Sequence, residues 1–92
     1  MASQIINHTG GAGTATTSTI TVGSGEKVAV RLSRLDANCE ASLKIVGNSV
    51  TTHEKLDRMH TVFDSIPANH VVSVVTRRTG DGGIEGVIES YT

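Results

Sequence analysis

The sequence predicts an all-β domain, an antiparallel β-sandwich or small jelly roll of about seven or eight strands. Threonine and valine, with 12 and 11 copies among 92 residues, dominate the composition, and their β-branched side chains favour extended backbone. Apolar and polar residues alternate in short runs, separated by Gly, Asn, Asp and Pro at the spacing of about 8 to 12 residues that is typical of sandwiches and barrels. No segment shows a convincing helical periodicity.

The first half of the chain contains four strand-like runs, at residues 4–7, 14–22, 26–32 and 39–46. In the third run, Val28, Val30 and Leu32 share one side, which predicts a half-buried strand with period two. The fourth run repeats this pattern with four apolar residues on one side: Cys39, Ala41, Leu43 and Ile45. Both runs are therefore expected to contribute to the core.

The second half adds four runs, at residues 49–54, 59–66, 70–78 and 84–91. Gly47 and Asn48 tolerate positive φ and predict a tight hairpin between the fourth and fifth runs. Residues 55–57 are predicted to be a connection that could form one helical turn. Pro67, which cannot donate to a ladder, helps to end the sixth run. The Gly-rich segment 79–83 predicts a hairpin between the last two runs.

The chain is too short and too poor in aromatic residues to build a large core. Phe63 and Tyr91 are its aromatic residues, and it has no Trp, although aromatic side chains are the largest apolar contributors to a core. The single cysteine, Cys39, excludes an intrachain disulfide. Small domains otherwise gain stability from a metal or from oligomerisation. We therefore expect the strands to finish their burial against another chain.

Charge and the N-terminal sequence exclude several classes of partner. The formal net charge of -1 gives no global electrostatic attraction for nucleic acid or for an anionic membrane. The first residues lack basic side chains and a long apolar run, so neither a signal peptide nor a membrane span is predicted. We expect synthesis in a host cytoplasm, with no nucleic acid and no membrane as partner.

No residue pattern indicates catalysis. The stretch 10–14 resembles a phosphate-binding loop, but it has no lysine and is followed by a poor helix former. Cys39 lies on the apolar side of its run, which predicts a small buried side chain rather than a nucleophile. The carboxylates are scattered and form no pair of the glycosidase type. We therefore predict neither enzymatic activity nor a cofactor.

Histidines and arginines leave two further possibilities. The four histidines match no compact metal-ligand spacing, and a metal shared at a symmetry axis is the remaining option; they are His8, His53, His60 and His70. The arginines form two small groups, Arg31 with Arg34 and Arg77 with Arg78. Base stacking would require more exposed aromatic rings. The arginines are instead expected to form ion pairs that fix register, with Glu26, Glu40, Glu85 or Glu89.

Apolar residues on both sides of a strand indicate where a partner binds. The seventh run carries four valines that cannot all share one face of a pleated strand: Val71, Val72, Val74 and Val75. One pair is therefore predicted to meet another element. A Gly-rich hinge at residues 10–13 predicts an N-terminal strand or arm over residues 1–13, followed by a single β domain over residues 14–92. The predicted interface residues are Ile5, Ile6, Val62, Val71, Val75 and Val87.

The whole chain resembles the small virion proteins of tailed bacteriophages, and the nearest type is the capsid decoration, or cement, protein. The resemblance lies in a short, Thr-, Val- and Gly-rich all-β chain that begins at Met1, has no disulfide and ends in the strand-like run 84–91. It implies a homo-oligomer, often a trimer, on the capsid surface of the virion, where it bridges neighbouring major capsid protein subunits. A tail or fibre component is an alternative. A small ligand-binding β module is another, although two aromatic residues can hardly line its pocket.

Overall fold

The computed structural model describes residues 2–92, except for the side chains of residues 17 and 18. Within this range the chain forms eight β-strands and no helix. The strands are β1 (Ala2–His8), β2 (Gly13–Thr21), β3 (Lys27–Leu35), β4 (Cys39–Gly47), β5 (Val50–Leu56), β6 (His60–Phe63), β7 (Val71–Arg78) and β8 (Ile84–Tyr91). The predicted all-β fold is therefore confirmed.

The strands form two four-stranded antiparallel sheets. Sheet A has the order β1-β8-β3-β6, and sheet B has the order β2-β7-β4-β5. Strands β1 to β4 pair in turn with β8, β7, β6 and β5, so the chain is one long antiparallel ribbon. The ribbon rolls up so that β3 also pairs with β8 and β4 also pairs with β7. This rolled ribbon is the topology of a jelly roll.

The core between the sheets is aliphatic. The predicted alternation on β3 is confirmed, because Val28, Val30 and Leu32 all point inward and are buried. Cys39 is buried on the inner side of β4, as its position in the sequence predicts. No aromatic side chain of residues 2–92 is fully buried, and Phe63 packs against the core while partly exposed. Aliphatic side chains therefore make up most of the core, with Thr76 as a fully buried polar member.

The predicted hairpin between the last two strands is wrong. Residues 79–83 carry the chain from β7 in sheet B to β8 in sheet A, so the two strands do not pair. Gly82 has a φ of 112°, which a residue with a side chain rarely adopts. The loop is held by the Gly83 N–H, which donates to Asp36 Oδ2 at 2.7 Å, and by the Thr79 N–H, which donates to Asn38 O at 3.1 Å. A loop of this length can cross the roughly 10 Å between packed sheets.

The β4–β5 hairpin is confirmed, although its turn lies one residue later than predicted. Asn48 and Ser49 have φ values of 51° and 62°, as a two-residue type I′ turn requires. The predicted helical turn at residues 55–57 is wrong, because β5 continues to Leu56, which pairs with Ala41 and is buried. The sixth strand is shorter than predicted and ends at Phe63.

The predicted N-terminal arm is part of the sandwich. Met1 lies outside the described residues, but β1 pairs with β8 along its whole length and forms one edge of sheet A. Ile6, a predicted interface residue, is fully buried in the core. The correction follows from strand alternation, since Ile5 and Ile6 must point to opposite faces. No boundary at residue 13 separates this strand from the rest of the core.

Candidate interaction surfaces

Three predicted interface residues lie on the outer face of sheet A, and we call Ile5, Val62 and Val87 the sheet A patch. Ile5 is 74% exposed and stands opposite Val87 in the β1–β8 pair. Val62 is 45% exposed and stands opposite Ala29, which is buried although it lies on the outer face. Strand alternation forces these side chains outward, because their neighbours along each strand fill the core. The patch therefore consists of two apolar spots on a solvent-facing sheet, Ile5 with Val87 near one edge and Val62 at the other, with Arg31 and Glu89 between them.

Ion pairs cross the same outer face, and two of those predicted from the sequence are present. Arg31 Nη2 lies 3.3 Å from Glu89 Oε1, and Arg34 Nη1 lies 3.7 Å from Glu85 Oε2. All four side chains are substantially exposed, so each pair contributes about 0–1 kcal/mol to stability. At an interface, these charges would orient a protein partner and would disfavour partners whose charges do not match them.

A shallow groove of about 580 Å³ lies within this face. It forms beside Gly86, where the β3–β8 register is irregular between Leu32 and Arg34. A β-carbon on Gly86 would overlap the backbone carbonyl oxygen of Arg31. The outward side chains around the groove are Ile5, Asn7, Arg31, Ser33, Glu85, Val87 and Glu89. With no aromatic ring and several charges, this lining resembles a protein-contact surface more than a small-molecule pocket.

The outer face of sheet B separates the four valines of β7. Val72 and Val74 point into the core and are buried, whereas Val71 and Val75 point outward. The outward pair is half-buried, since each stands between residues of β2 and β4. The division of the valines between two faces is confirmed. The role of Val71 and Val75 at an interface stays a prediction.

The loops at one end of the sandwich are fixed by Asp36 and Arg78. Asp36 Oδ2 accepts hydrogen bonds from the Gly83 N–H at 2.7 Å and from Arg34 Nε at 2.8 Å. These two hydrogen bonds hold the pKa of Asp36 below its ordinary value, and the bond from Gly83 has the larger effect. The stabilisation from Asp36 is present above that ordinary pKa and is lost as the pH falls through the lowered one. Arg78 Nε donates to Gly82 O at 2.6 Å, so this cluster is structural.

The histidines do not converge. His8 is buried, with its Nδ1 2.9 Å from Thr76 Oγ1, while His53 and His60 are exposed on strands of different sheets. Among residues 2–92, no group of three or more His, Cys, Asp or Glu side chains is arranged to hold a metal ion. The Gly-rich stretch 10–13 joins two strands, so it lacks the helix that a phosphate-binding loop requires.

Sequence reasoning missed one exposed feature, the free edge of β5. Val50, the first residue of β5, is an exposed apolar residue at this edge, at 58%. Every residue from Val50 to Lys55 is exposed, although β5 is a full strand of sheet B. The run of Thr, His, Glu and Lys in β5 signals a solvent-facing strand, but the order of strands in the sheet is needed to identify it as an edge.

Comparisons of the chain with protein-family models, with curated proteins and with solved structures find no match. In the part of the chain that the structure describes, no helix has the length and apolar character needed to cross a membrane. The surfaces described above are therefore the features of the molecule that indicate its function.

Proposed function

We propose that this protein is a viral structural protein, a capsid decoration or cement protein whose sheet A patch binds the major capsid protein. The observation that carries the proposal is the exposure of Ile5 and Val62 on the outer face of sheet A, with Val87 beside Ile5. Isolated surface apolar residues need no explanation, but apolar residues grouped with an ion pair on one sheet face have the mixed composition of a protein contact. The jelly-roll topology is compatible, because it occurs in viral capsid domains as well as in lectins and cupins.

The proposed contact supplies burial that the small chain lacks. Covering the sheet A patch removes apolar surface from water, at about 25 cal/mol for each Å². Arg31 and Glu89, which cross the same face, would align with charges of the capsid protein and set the orientation of binding. In the proposed assembly the protein is a homo-oligomer, so each oligomer presents several patches to the shell. Simultaneous contacts strengthen attachment without any new kind of interaction.

The direct test asks whether the protein is a component of the particle. Particles released by cells that carry the gene are purified on a density gradient, probed by immunoblotting and examined by immunogold electron microscopy. We expect the protein in the particle band, with gold on the capsid surface. Gold confined to the tail would replace the decoration role with a tail or fibre role. Absence from purified particles would contradict the proposal.

The patch is tested by co-sedimentation with capsids from which the protein has been removed. The double variant Ile5→Gln and Val62→Gln keeps both strands but removes apolar surface from the patch. We expect at least a tenfold loss of capsid affinity, with an unchanged circular dichroism spectrum. Thr14→Gln is the matched control, because Thr14 is exposed on β2 of the other sheet, away from the sheet A patch. Equal binding by the double variant and the control would show that another surface makes the contact.

A further inference from the structure

The edge of β5 is the best-formed free strand edge in the part of the chain that the structure describes. Four strands end the two sheets: β1, β6, β2 and β5. β1 lies against β2 of the other sheet, β2 is irregular between Thr17 and Ile20, and β6 has four residues. β5 instead pairs with β4 in unbroken register over seven residues. Irregular, short or covered edges resist pairing with another chain, whereas a long regular edge permits it.

The ladder geometry shows which backbone groups of β5 are available. In a hairpin with a two-residue turn, the residues that flank the turn form a hydrogen-bonded pair, and the pairs then alternate. Gly47 and Val50 flank the turn here. The backbone groups of Thr51, His53 and Lys55 therefore point away from β4. They present three N–H donors and three carbonyl acceptors in a row at the open edge.

We propose that a second copy of this chain pairs antiparallel along the β5 edge, about a two-fold axis that passes through His53. In this register Thr51 pairs with Lys55 of the second copy, and His53 pairs with its own counterpart. All three outward-pointing residues of each copy then form hydrogen-bonded pairs. Sliding the register by two residues in either direction leaves one of the three without a β5 partner.

The side chains are compatible with this register on the inner face of β5. Val50, which is 58% exposed, stands opposite Leu56 of the second copy, and Thr52 stands opposite its Glu54. The hydroxyl of Thr52 can donate to that carboxylate, and the symmetry repeats the bond. No two like charges stand directly opposite each other at neutral pH, so the pairing avoids the repulsion that destabilises a sheet.

A groove of about 270 Å³ continues the β5 edge into the gap between the two sheets. Its apolar lining comes from Ile45 and Val50 on the sheet B side and from Phe63 and Ile66 on the other. Phe63 and Ile66 are partly buried and pack against the core from this side. The joined sheet extends over the mouth of this groove. The second copy therefore covers apolar surface as well as pairing backbone groups.

The surroundings of the two-fold axis show what a charge at residue 53 would meet in the proposed dimer. The charged or titratable neighbours of His53 on the outer face are Lys44, which is its partner on β4, Lys55 on β5, and the same residues of the second copy. The two copies of each lysine lie about 13–14 Å apart in this register, beyond the screening length of about 8 Å at physiological salt. The two His53 side chains are adjacent across the axis. A permanent cation at this position would therefore meet its own counterpart, and like charges directly opposite each other destabilise a sheet.

The proposed dimer goes beyond the proposed function and is tested separately, by sedimentation velocity and light scattering of the pure protein at neutral pH. We expect a dimer for the wild-type chain, and an equally stable dimer for His53→Gln, which adds no charge. His53→Lys should be monomeric, because it places two permanent cations at the axis. Thr14→Gln is the control that leaves the dimer unchanged, because Thr14 is exposed on β2, away from the β5 edge.

His53→Pro gives a second test that does not depend on charge. It removes an N–H that points away from β4, so the β4–β5 ladder keeps its hydrogen bonds while the open edge loses a donor. We expect a folded monomer by circular dichroism and sedimentation. A wild-type monomer at several hundred micromolar would overturn the β5 dimer, as would a dimer that survives both His53→Lys and His53→Pro. A trimer would also overturn it, while agreeing with the oligomer of the proposed decoration protein.

Discussion

The two sides of the sandwich are closed in different ways. On the side of β1 and β2, the edges of the sheets come together, and the buried His8 reaches across to Thr76 of sheet B at 2.9 Å. On the side of β5 and β6, the edges stay apart. β6 pairs only with Val28–Arg31 of β3, and residues 50–55 of β5 are all exposed. One side is complete within the chain, and the other leaves a groove.

The difference lies in the residues that point inward. β1 supplies Ile6 and His8, an aliphatic side chain and a polar one whose hydrogen bond lies inside the fold. β5 instead points Thr52 and Glu54 inward, and a carboxylate is costly to bury without a partner. The core is therefore not thin throughout the molecule. The deficit of burial that the composition predicts is concentrated at the β5 side, where a second chain can supply it.

The largest expected effect comes from shortening one apolar side chain to alanine on each side of the sandwich. Ile6→Ala removes a fully buried side chain on the closed side and should lower the free energy of unfolding by about 2–5 kcal/mol. Val50→Ala, on the open side, should lower it by less than about 0.5 kcal/mol. Urea unfolding at low micromolar concentration measures both in the monomer. Similar losses for the two variants would mean that the sides are equally closed.

A glycine on each side gives the next test. A β-carbon on Gly86 would overlap the backbone oxygen of Arg31 and lie 2.9 Å from Leu32 Cα. Backbone cannot move aside, so Gly86→Ala should cost about 1–3 kcal/mol or more. A β-carbon on Gly47 would overlap the ring of His70, a half-buried side chain whose Nδ1 lies 3.3 Å from Ala68 O. A side chain can rotate away, whereas backbone cannot. Gly47→Ala should therefore cost less than about 1 kcal/mol.

Thermal unfolding of Gly86→Ala and Gly47→Ala, followed by circular dichroism, checks this ranking. The spectrum of each variant at low temperature shows whether the sandwich still forms. A larger loss for Gly47→Ala would show that the His70 side of the molecule is as rigidly packed as the β3–β8 junction.

Local patterns predicted the strands and their faces, because alternation depends only on neighbouring residues. Val71 and Val75 separate from Val72 and Val74 as the sequence indicates. Ile6 was misplaced because two adjacent isoleucines do not show which one points inward. That choice is made by the pairing of β1 with β8, at the far end of the chain. Non-local contacts of this kind leave no signal in a short segment.

The lack of a local signal for non-local contacts also explains why the β7–β8 hairpin is wrongly predicted and why the free edge of β5 is missed. The Gly-rich segment 79–83 marks a reversal, but a reversal can close within one sheet or cross between two. The chain crosses from sheet B to sheet A here because β8 pairs in sheet A with β1 on one side and with β3 on the other. The free edge of β5 depends in the same way on the order of strands in sheet B. A candidate site defined by an edge is therefore visible only once the topology is known.

The smallest expected effect comes from replacing one threonine with valine on each side of the sandwich. Thr76 is fully buried, and its hydroxyl donates to Ala15 O at 3.4 Å and lies 2.9 Å from Nδ1 of His8. Thr76→Val keeps the shape of the side chain but removes one hydrogen-bond partner from His8 and one from Ala15 O. It should therefore lower the free energy of unfolding by about 1–2 kcal/mol. Thr52→Val, at an exposed inward position of β5, should be neutral within about 0.5 kcal/mol.

A double-mutant cycle assigns the cost of Thr76→Val to the closed side. In a His8→Leu background the imidazole no longer needs a partner, so Thr76→Val should cost less than in the wild-type chain, by about 0.5–1.5 kcal/mol. Urea unfolding of the single and double variants measures this coupling. If the cost is the same in both backgrounds, the His8–Thr76 bond does not hold the two sheets together. The closure of that side would then rest on the packing of aliphatic side chains such as Ile6 alone.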